Sequence, residues 1–283
     1  MKTMSIIMPT YNQGQYIEKS ILSVLNQDYP QVELIILDAA SSDNTLDIIK
    51  KYESKITYWR SHKDEGQSAA INEGFRRASG EILTWLNSDD ILLPGTLHSV
   101  NAAFERDPSL RWVTGNTIWI DKDDKILKTG KLPDWSDFFN RKHCFAIGGP
   151  TSFMHVELLK KHGYIREDFH YMMDTELWNR FIAAGERFKR LPMYTWALRL
   201  HEAAKMSGHN FKSSELSQAN HPSWIQKHKE ISILQNLYPK FCENKFLKLI
   251  YTIRKICSFN CIRRLFELNS IGKNYKAVPF IKI

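Results

Sequence analysis

Short apolar runs that each break off in a polar cluster, alternating with amphipathic stretches, constrain this chain more than any other feature of its sequence. Met4 to Met8 (MSIIM), Val32 to Leu37 (VELIIL), Ile56 to Trp59 and Ile82 to Leu86 (ILTWL) are brief and bounded by turn residues, so they read as strands. Between the first two, Ile17, Ile21, Val24 and Leu25 recur at i, i+4, i+7 and i+8, the stripe of a helix packed on one side. Thr45 to Tyr52 and Ser68 to Ala78 read as further helices, the second stopped by Ser79-Gly80. The alternation predicts a doubly wound α/β sheet, and such sheets bind ligands at the carboxyl ends of their strands, where the polar clusters fall.

Later segments make the sheet mixed. After a helix from Gly95 to Phe104, Trp112 to Ile120 and Lys125 to Thr129 read as a hairpin turned by Asp121 to Asp124. A helix from about Thr175 to Ala184 and a strand from Phe188 to Leu200 follow. Beyond Pro222 the pattern becomes helical and basic. From Trp224 to Ile283 there are twelve Lys or Arg against three Asp or Glu, while the rest of the chain holds 27 basic and 28 acidic residues. Within this tail Phe246, Leu249, Ile250, Ile253, Ile256 and Cys257 share one helical face, an amphipathic basic helix. Such a helix suits an anionic membrane surface, or packing on the body or on a second subunit in a homo-oligomer. No nucleic-acid fold accompanies the charge, so nucleic acid is not an expected partner. The four cysteines lack zinc-like or disulfide-framework spacing. With no signal-peptide pattern and no apolar run of about 18 to 20 residues, the expected location is cytoplasmic, at the inner face of the membrane if the tail binds there.

Five polar motifs follow one another in order: Pro9-Thr10-Tyr11-Asn12-Gln13-Gly14; Asp38-Ala39-Ala40-Ser41-Ser42-Asp43-Asn44-Thr45; Asp64 through Asn72; Asn87-Ser88-Asp89-Asp90; and Asp174-Thr175-Glu176-Leu177-Trp178-Asn179-Arg180. Their order and content, over roughly residues 4 to 205, resemble glycosyltransferase family 2. The resemblance implies a GT-A fold, the nucleotide-diphospho-sugar transferase type: a Rossmann-like mixed sheet in 1–222, with a donor-binding half (1–110), an acceptor half (111–222) and a helical C-terminal extension (223–283). It also implies inverting transfer from a nucleotide diphosphate sugar, a UDP-sugar first, to a glycan or lipid-linked acceptor in polysaccharide or glycolipid assembly. Two departures stand out: Asn87 where relatives often carry Asp, and Ala39-Ala40 where they carry Asp or Gly.

Chemistry assigns each motif a task. The donor presents N–H groups on its base, hydroxyls on its ribose and a diphosphate that gains charge as the sugar leaves, so acceptors are needed at one end and positive charge at the other. Carboxylates approach a diphosphate through Mg2+ or Mn2+, which take about six oxygen ligands. Asp90 is the expected metal ligand, with Asp89 on the metal or the ribose and His201 as a further ligand; a plain turn and helix cap is the alternative for the Asp pair. The resemblance places Asp38 on the uracil N3–H and Pro9, Thr10, Tyr11 and Asn12 along the base, Tyr11 being equally a packing residue. Asp64, Gln67 and Asn72 are expected near ribose or sugar. Asp43 suits capping of the Thr45 helix. The resemblance puts Lys205 and Arg199 at the diphosphate. It puts Asp174 at the position of the general base, an N-cap being the alternative, with Glu176 in reserve. Gly149, Trp178, Glu176 and Trp135 are assigned to the acceptor side. A non-catalytic nucleotide-sugar binder is the competing reading; a nucleotidyltransferase should carry a Gly-rich basic loop after the first strand, where this chain has Pro-Thr-Tyr-Asn-Gln-Gly.

Overall fold

Seven residues of β1 (Met4–Thr10) are all buried, which a strand achieves only when both of its faces are covered. The computed structural model describes residues 1–132, 134–135, 147–205, 222–238 and 271–277. In it β1 lies between β2 (Val32–Asp38) and β4 (Ile82–Trp85), parallel to both, and β3 (Tyr58–Ser61) extends the parallel set beyond β2. Side chains alternate between two apolar layers. Met4, Ile6 and Met8 join Leu34 and Ile36 under α1 (Ile17–Leu25), α2 (Thr45–Lys51) and α4 (Thr96–Arg106). Ile7, Ile35 and Leu37 join the opposite layer, under α3 (Gln67–Arg77). Close contact there requires a glycine: a Cβ on Gly74 of α3 would lie 2.3 Å from Ile7 Cγ2.

The other half of the sheet is mixed. Its order is β3-β2-β1-β4-β8-β6-β9-β5, with β7 (Ile126–Gly130) on β6 (Trp112–Ile120), so the expected hairpin forms as an antiparallel pair. β8 (Ser152–His155) is antiparallel to both β4 and β6 and joins the halves. β9 (Lys189–Arg199) is parallel to β6, and two-residue β5 (Ile91–Leu92) pairs antiparallel with it. β5, β8 and the short helix α5 (Val156–His162) were not legible in the sequence: they are too brief to show a period, and β5 exists through its pairing with Trp196 and Ala197. The third strand begins two residues later than its apolar pattern suggests, because a 3-10 turn at Glu53–Lys55 precedes it.

α6 (Met173–Ala183) and α7 (Pro222–Leu237) complete the layer on the α3 side. Trp178 of α6 stacks between Trp85 and Trp112, with ring centroids at 5.9 and 4.9 Å. Leu234 of α7 is fully buried in the same layer, and Tyr238 donates to Glu176 Oε1 at 3.1 Å. The first helix beyond Pro222 is thus built into the body. The expected amphipathic helix around 246–257 lies outside the described residues. Leu234→Ala should therefore lower the free energy of unfolding by about 2–5 kcal/mol in chemical denaturation; a loss below about 1 kcal/mol would show that α7 adds little to the core.

Candidate active site

A cavity of about 730 Å³ opens where the parallel strands end, lined by Pro9 and Thr10 at the end of β1, Ala39 and Ala40 after β2, and Asn87 to Asp89 after β4. The chain turns to opposite sides from β1, toward β2 and toward β4, so the cavity occupies the crevice where doubly wound sheets bind ligands. The facing wall comes from the second half: Gly149 and Pro150, His170, Tyr171, Met173 and Asp174, Trp196 and Leu198 of β9, and Ala203 and Lys205.

On the strand side, Asp89 faces the cavity and its Oδ2 lies 3.0 Å from His201 Nε2. The His201 ring packs against Tyr16 at 4.6 Å between centroids, which fixes its orientation. Asp90 does not line the cavity. It is buried, accepts the Arg199 backbone N–H at 2.8 Å and the Asn87 Nδ2 at 2.9 Å, and burial, with the Asp89 charge, pushes its carboxyl well above the usual carboxylate range. The two adjacent aspartates therefore differ: Asp89 faces the cavity, with His201 beside it, and Asp90 braces the loop from within. Arg199 is likewise corrected. It is buried, its Nε donates to the Asp89 carbonyl at 2.9 Å and its Nη1 pairs with Asp124 at 2.6 Å, so it stiffens the loop from behind.

Across the cavity, Asp174 stands in the first turn of α6. Met172 is the N-cap and Asp174 Oδ1 accepts the Thr175 N–H at 2.6 Å, so the aspartate is not the cap but projects beside it. Burial raises its carboxyl above the ordinary range, opposed by bonds from Thr175 and the charge of Lys205. Burial lowers the Lys205 ammonium to about 8, with Asp174 and Glu230 pulling it back up. Lys205 Nζ donates to Gln67 Oε1 at 2.9 Å, and Gln67 Nε2 donates to Asn87 Oδ1 at 2.8 Å. Asn87 then donates to Asp90. An aspartate at position 87 would have no donor for Asp90, which gives the departure to Asn a local reason.

Other expected residues serve the walls. Asp38 has no exposed surface; its oxygens accept from Ser41 N at 2.9 Å, Ser41 Oγ at 2.5 Å and Ser61 Oγ at 2.6 Å, so it holds the loop whose Ala39 and Ala40 reach the cavity. Asn12 ties the same loop through Ser41 and Ser42, while Thr10 and half-exposed Tyr11 line the rim. Asp64 reaches the cavity, held by Arg60 and the Gly66 N–H. Asp43 lies one residue before Asn44, the N-cap of α2, and accepts Thr45 N and also Gly14 N. Three expectations are overturned by burial. Asn72 clamps Ile165 through N–H and C=O, Glu176 pairs with Arg180 at 2.6 Å inside the core, and Trp178 stands behind Trp85 instead of facing an acceptor. Trp135 packs on Phe188 outside the cavity.

His170, Tyr171, Met173, Trp85, Trp196 and Lys63 line the cavity without having been singled out from sequence. Apolar residues inside strands and helices read as core, and His170-Tyr171 belong to no motif. Gly149 does face the cavity, at the start of a 3-10 turn, and a Cβ there would lie 2.0 Å from Trp85 Cζ2. Gly149→Ala must displace Trp85 or the turn; we expect a loss of about 1–3 kcal/mol in unfolding free energy, read by chemical denaturation.

The family model described as "Glycosyl transferase family 2" matches residues 5–156. Among similar proteins, an uncharacterized glycosyltransferase of Haemophilus influenzae is 28% identical over 180 residues, 62% of this chain and 72% of that protein. The GalNAc(5)-diNAcBac-PP-undecaprenol beta-1,3-glucosyltransferase of Campylobacter jejuni is 36% identical over 45% of this chain and 42% of its own length. The poly(ribitol-phosphate) beta-N-acetylglucosaminyltransferase TarP of Staphylococcus aureus is 41% identical over 32% of this chain and 30% of its own. The matches to these last two thus span less than half of each relative. Among solved structures, S. aureus TarS residues 1–349 with UDP-GlcNAc superposes with a TM-score of 0.59 at 18% identity, over 76% of this chain and 69% of that one. The mannosyltransferase PcManGT of Pyrobaculum calidifontis with GDP-Man and Mn2+ gives 0.56 at 16% identity, over 93% and 83%. The GT-A fold is common to them.

Proposed function

The chain belongs to glycosyl transferase family 2, and from that premise we propose that it is an inverting glycosyltransferase, moving a sugar from a UDP-sugar to a hydroxyl of a glycan or lipid-linked acceptor. One observation carries the reading: Asp89, Asp174 and Lys205 line a single cavity at the carboxyl edge of the sheet, and His201 is bonded to Asp89 there. The UDP preference is supported by TarS, solved with UDP-GlcNAc; the GDP-Man complex of PcManGT is the case for guanosine. The Campylobacter relative, named for an undecaprenol-linked glycan, and TarP, named for poly(ribitol-phosphate), support an envelope polysaccharide or glycolipid acceptor.

The mechanism assigned to these residues is a single displacement. The acceptor hydroxyl attacks the anomeric carbon, its proton passes to an Asp174 carboxylate oxygen, and the bond to the diphosphate breaks on the far side with inversion. Lys205 holds positive charge against the departing diphosphate in a partly buried site, where the attraction is stronger than in water. The Asp89 carboxylate is the kind of oxygen donor that would hold Mn2+ or Mg2+ at the cavity, with His201 Nε2, 3.0 Å from it, as a nitrogen donor that Mn2+ would accept. When bound, such a cation neutralises diphosphate charge. The cavity is lined on its floor by Trp85 and Met173, which exclude water from the reacting centre. Among the described residues no helix is long and apolar enough to cross a membrane. We place the enzyme on the cytoplasmic side, with the basic tail as a membrane or subunit contact.

Asp174→Asn should retain Mn2+-dependent UDP binding and lose transfer by about 10²–10⁴-fold, measured as UDP release from a panel of UDP-sugars with and without EDTA; transfer within a few-fold of wild type would remove Asp174 as base. The pH profile is expected to be bell-shaped. The Asp174 carboxyl, raised by burial, must be ionised, so rate falls as pH drops through its elevated pKa; Lys205, lowered to about 8, must be protonated, so rate falls as pH rises past that value. Lys205→Met should flatten the alkaline limb and weaken UDP binding at pH 7 by about tenfold. Asp89→Ala should abolish the thermal shift that UDP produces only with Mn2+, whereas a preserved shift would take Asp89 out of the cation site.

A further inference from the structure

Residues 169–173, the segment that delivers Asp174, are gripped from two sides. From α3, Ser68 Oγ donates to the Phe169 carbonyl at 3.0 Å and contacts Met173 Sδ at 3.1 Å. From α7, the Glu230 carboxylate accepts three consecutive backbone N–H groups, His170 and Tyr171 at 2.9 Å and Met172 at 2.8 Å, and Gln226 Nε2 at 2.9 Å. Glu230 is 1% exposed. A carboxylate so deeply buried is costly unless every oxygen is bonded, and stability alone is served as well by neutral groups. A local cap would ordinarily come from Ser, Thr, Asp or Asn at the N-cap position, but Met172 stands there without a side-chain cap. The cap arrives instead from about sixty residues further along, and it carries a negative charge.

That charge falls on the ligands of the site. The Lys205 ammonium lies within electrostatic reach of both Asp174 and Glu230, bonded to Gln67 of α3 and 5.5 Å from the Tyr171 ring; His170 feels both Lys205 and Glu230, and Lys227 of α7 is drawn by Asp174. Two carboxylates, Asp174 and Glu230, and two ammonium groups, Lys205 and Lys227, thus meet around the amino end of α6, where the helix dipole favours negative charge. We infer that Glu230 is a positioning residue for sugar transfer: by holding the N–H groups of 170–172 it fixes the turn that presents His170 and Tyr171 to the cavity and aims Asp174 at the acceptor. The inference rests on Asp174 as the base, and it makes the helix after Pro222 part of the catalytic apparatus.

The test uses the full chain and Glu230→Gln, with UDP plus Mn2+ as the binding probe and UDP release from UDP-glucose, UDP-galactose and UDP-N-acetylglucosamine as the rate. Expected are UDP affinity within about twofold of wild type, amide hydrogen exchange at 169–175 faster by about tenfold, and UDP release slower by about tenfold or more with the alkaline limb moved to lower pH, since Lys205 loses one of its two counter-charges. Glu230→Asp, the second variant in case the first folds poorly, keeps the charge but is one methylene short: its release should slow while the limb stays in place. Release by Glu230→Gln at the wild-type rate, or slowed with an unmoved limb, would reduce Glu230 to a structural brace and overturn the inference; for Glu230→Asp, a wild-type rate does the same. Asp174→Asn run alongside separates the two claims. An active Asp174→Asn defeats the base assignment whatever Glu230 does, and an inactive one beside a wild-type-like Glu230→Gln defeats only the role of Glu230.

Discussion

The parallel pairing of β1 with both β2 and β4 is the constraint from which the rest of the molecule follows. Parallel strands put like ends together, so the polar residues after β1, β2 and β4 emerge along one edge of the sheet. β8 is antiparallel to β4 and to β6, and β9 is parallel to β6, so β9 runs in the same direction as β1. Its continuation, with His201 and Lys205, therefore arrives at the same edge as Asp89 although more than a hundred residues separate them in sequence. Reversing the direction of β9 would place His201 at the opposite edge of the sheet.

Charge is arranged in two layers about this edge. In the rear layer buried Arg199 pairs with buried Asp124, which exposed Lys19 also meets, and Asp90 accepts the Arg199 backbone N–H, so the loop after β4 and the turn of the β6–β7 hairpin are stiffened together. Each buried ion there has a partner, which is the condition under which an interior charge is tolerated. The front layer has partners too, but its Asp89, Asp174 and Lys205 also face the cavity, with His201 behind Asp89. Burial moves Asp174 and Lys205 toward each other on the pH scale, one up and the other down, which brings a weak base and a weak acid closer to neutrality. Gln67 and Asn87 connect the layers through an unbroken run of side-chain hydrogen bonds from Lys205 to Asp90.

The aromatic interior has a related task. Trp85, Trp178 and Trp112 form a stack that runs from the cavity floor into the core, and Gly149 is the residue that lets backbone lie flat against Trp85. α6 is held on one flank by this stack and at its amino end by α7, so the helix bearing Asp174 is fixed by groups contributed from both halves of the sheet and from beyond Pro222.

By itself the sequence determined the strand–helix alternation, the hairpin and the edge at which polar residues collect, because period and turn chemistry are local properties. It also singled out Asp64, Gln67, Asp89, Asp174 and Lys205, which line one cavity. Only the tertiary structure decided which way neighbouring side chains point. Asp89 and Asp90 are adjacent and chemically alike, yet one faces the cavity and the other a backbone N–H of β9. Asp38, Asn72, Glu176, Trp178 and Arg199 sit within or beside informative motifs but are consumed by bonds and packing inside the walls. β5, β8 and the grip of Glu230 on 170–172 likewise depend on segments far apart in sequence. A residue's type limits the interactions it can make, but which of them it makes depends on the partners that folding brings within about 3 Å, and no local pattern records those.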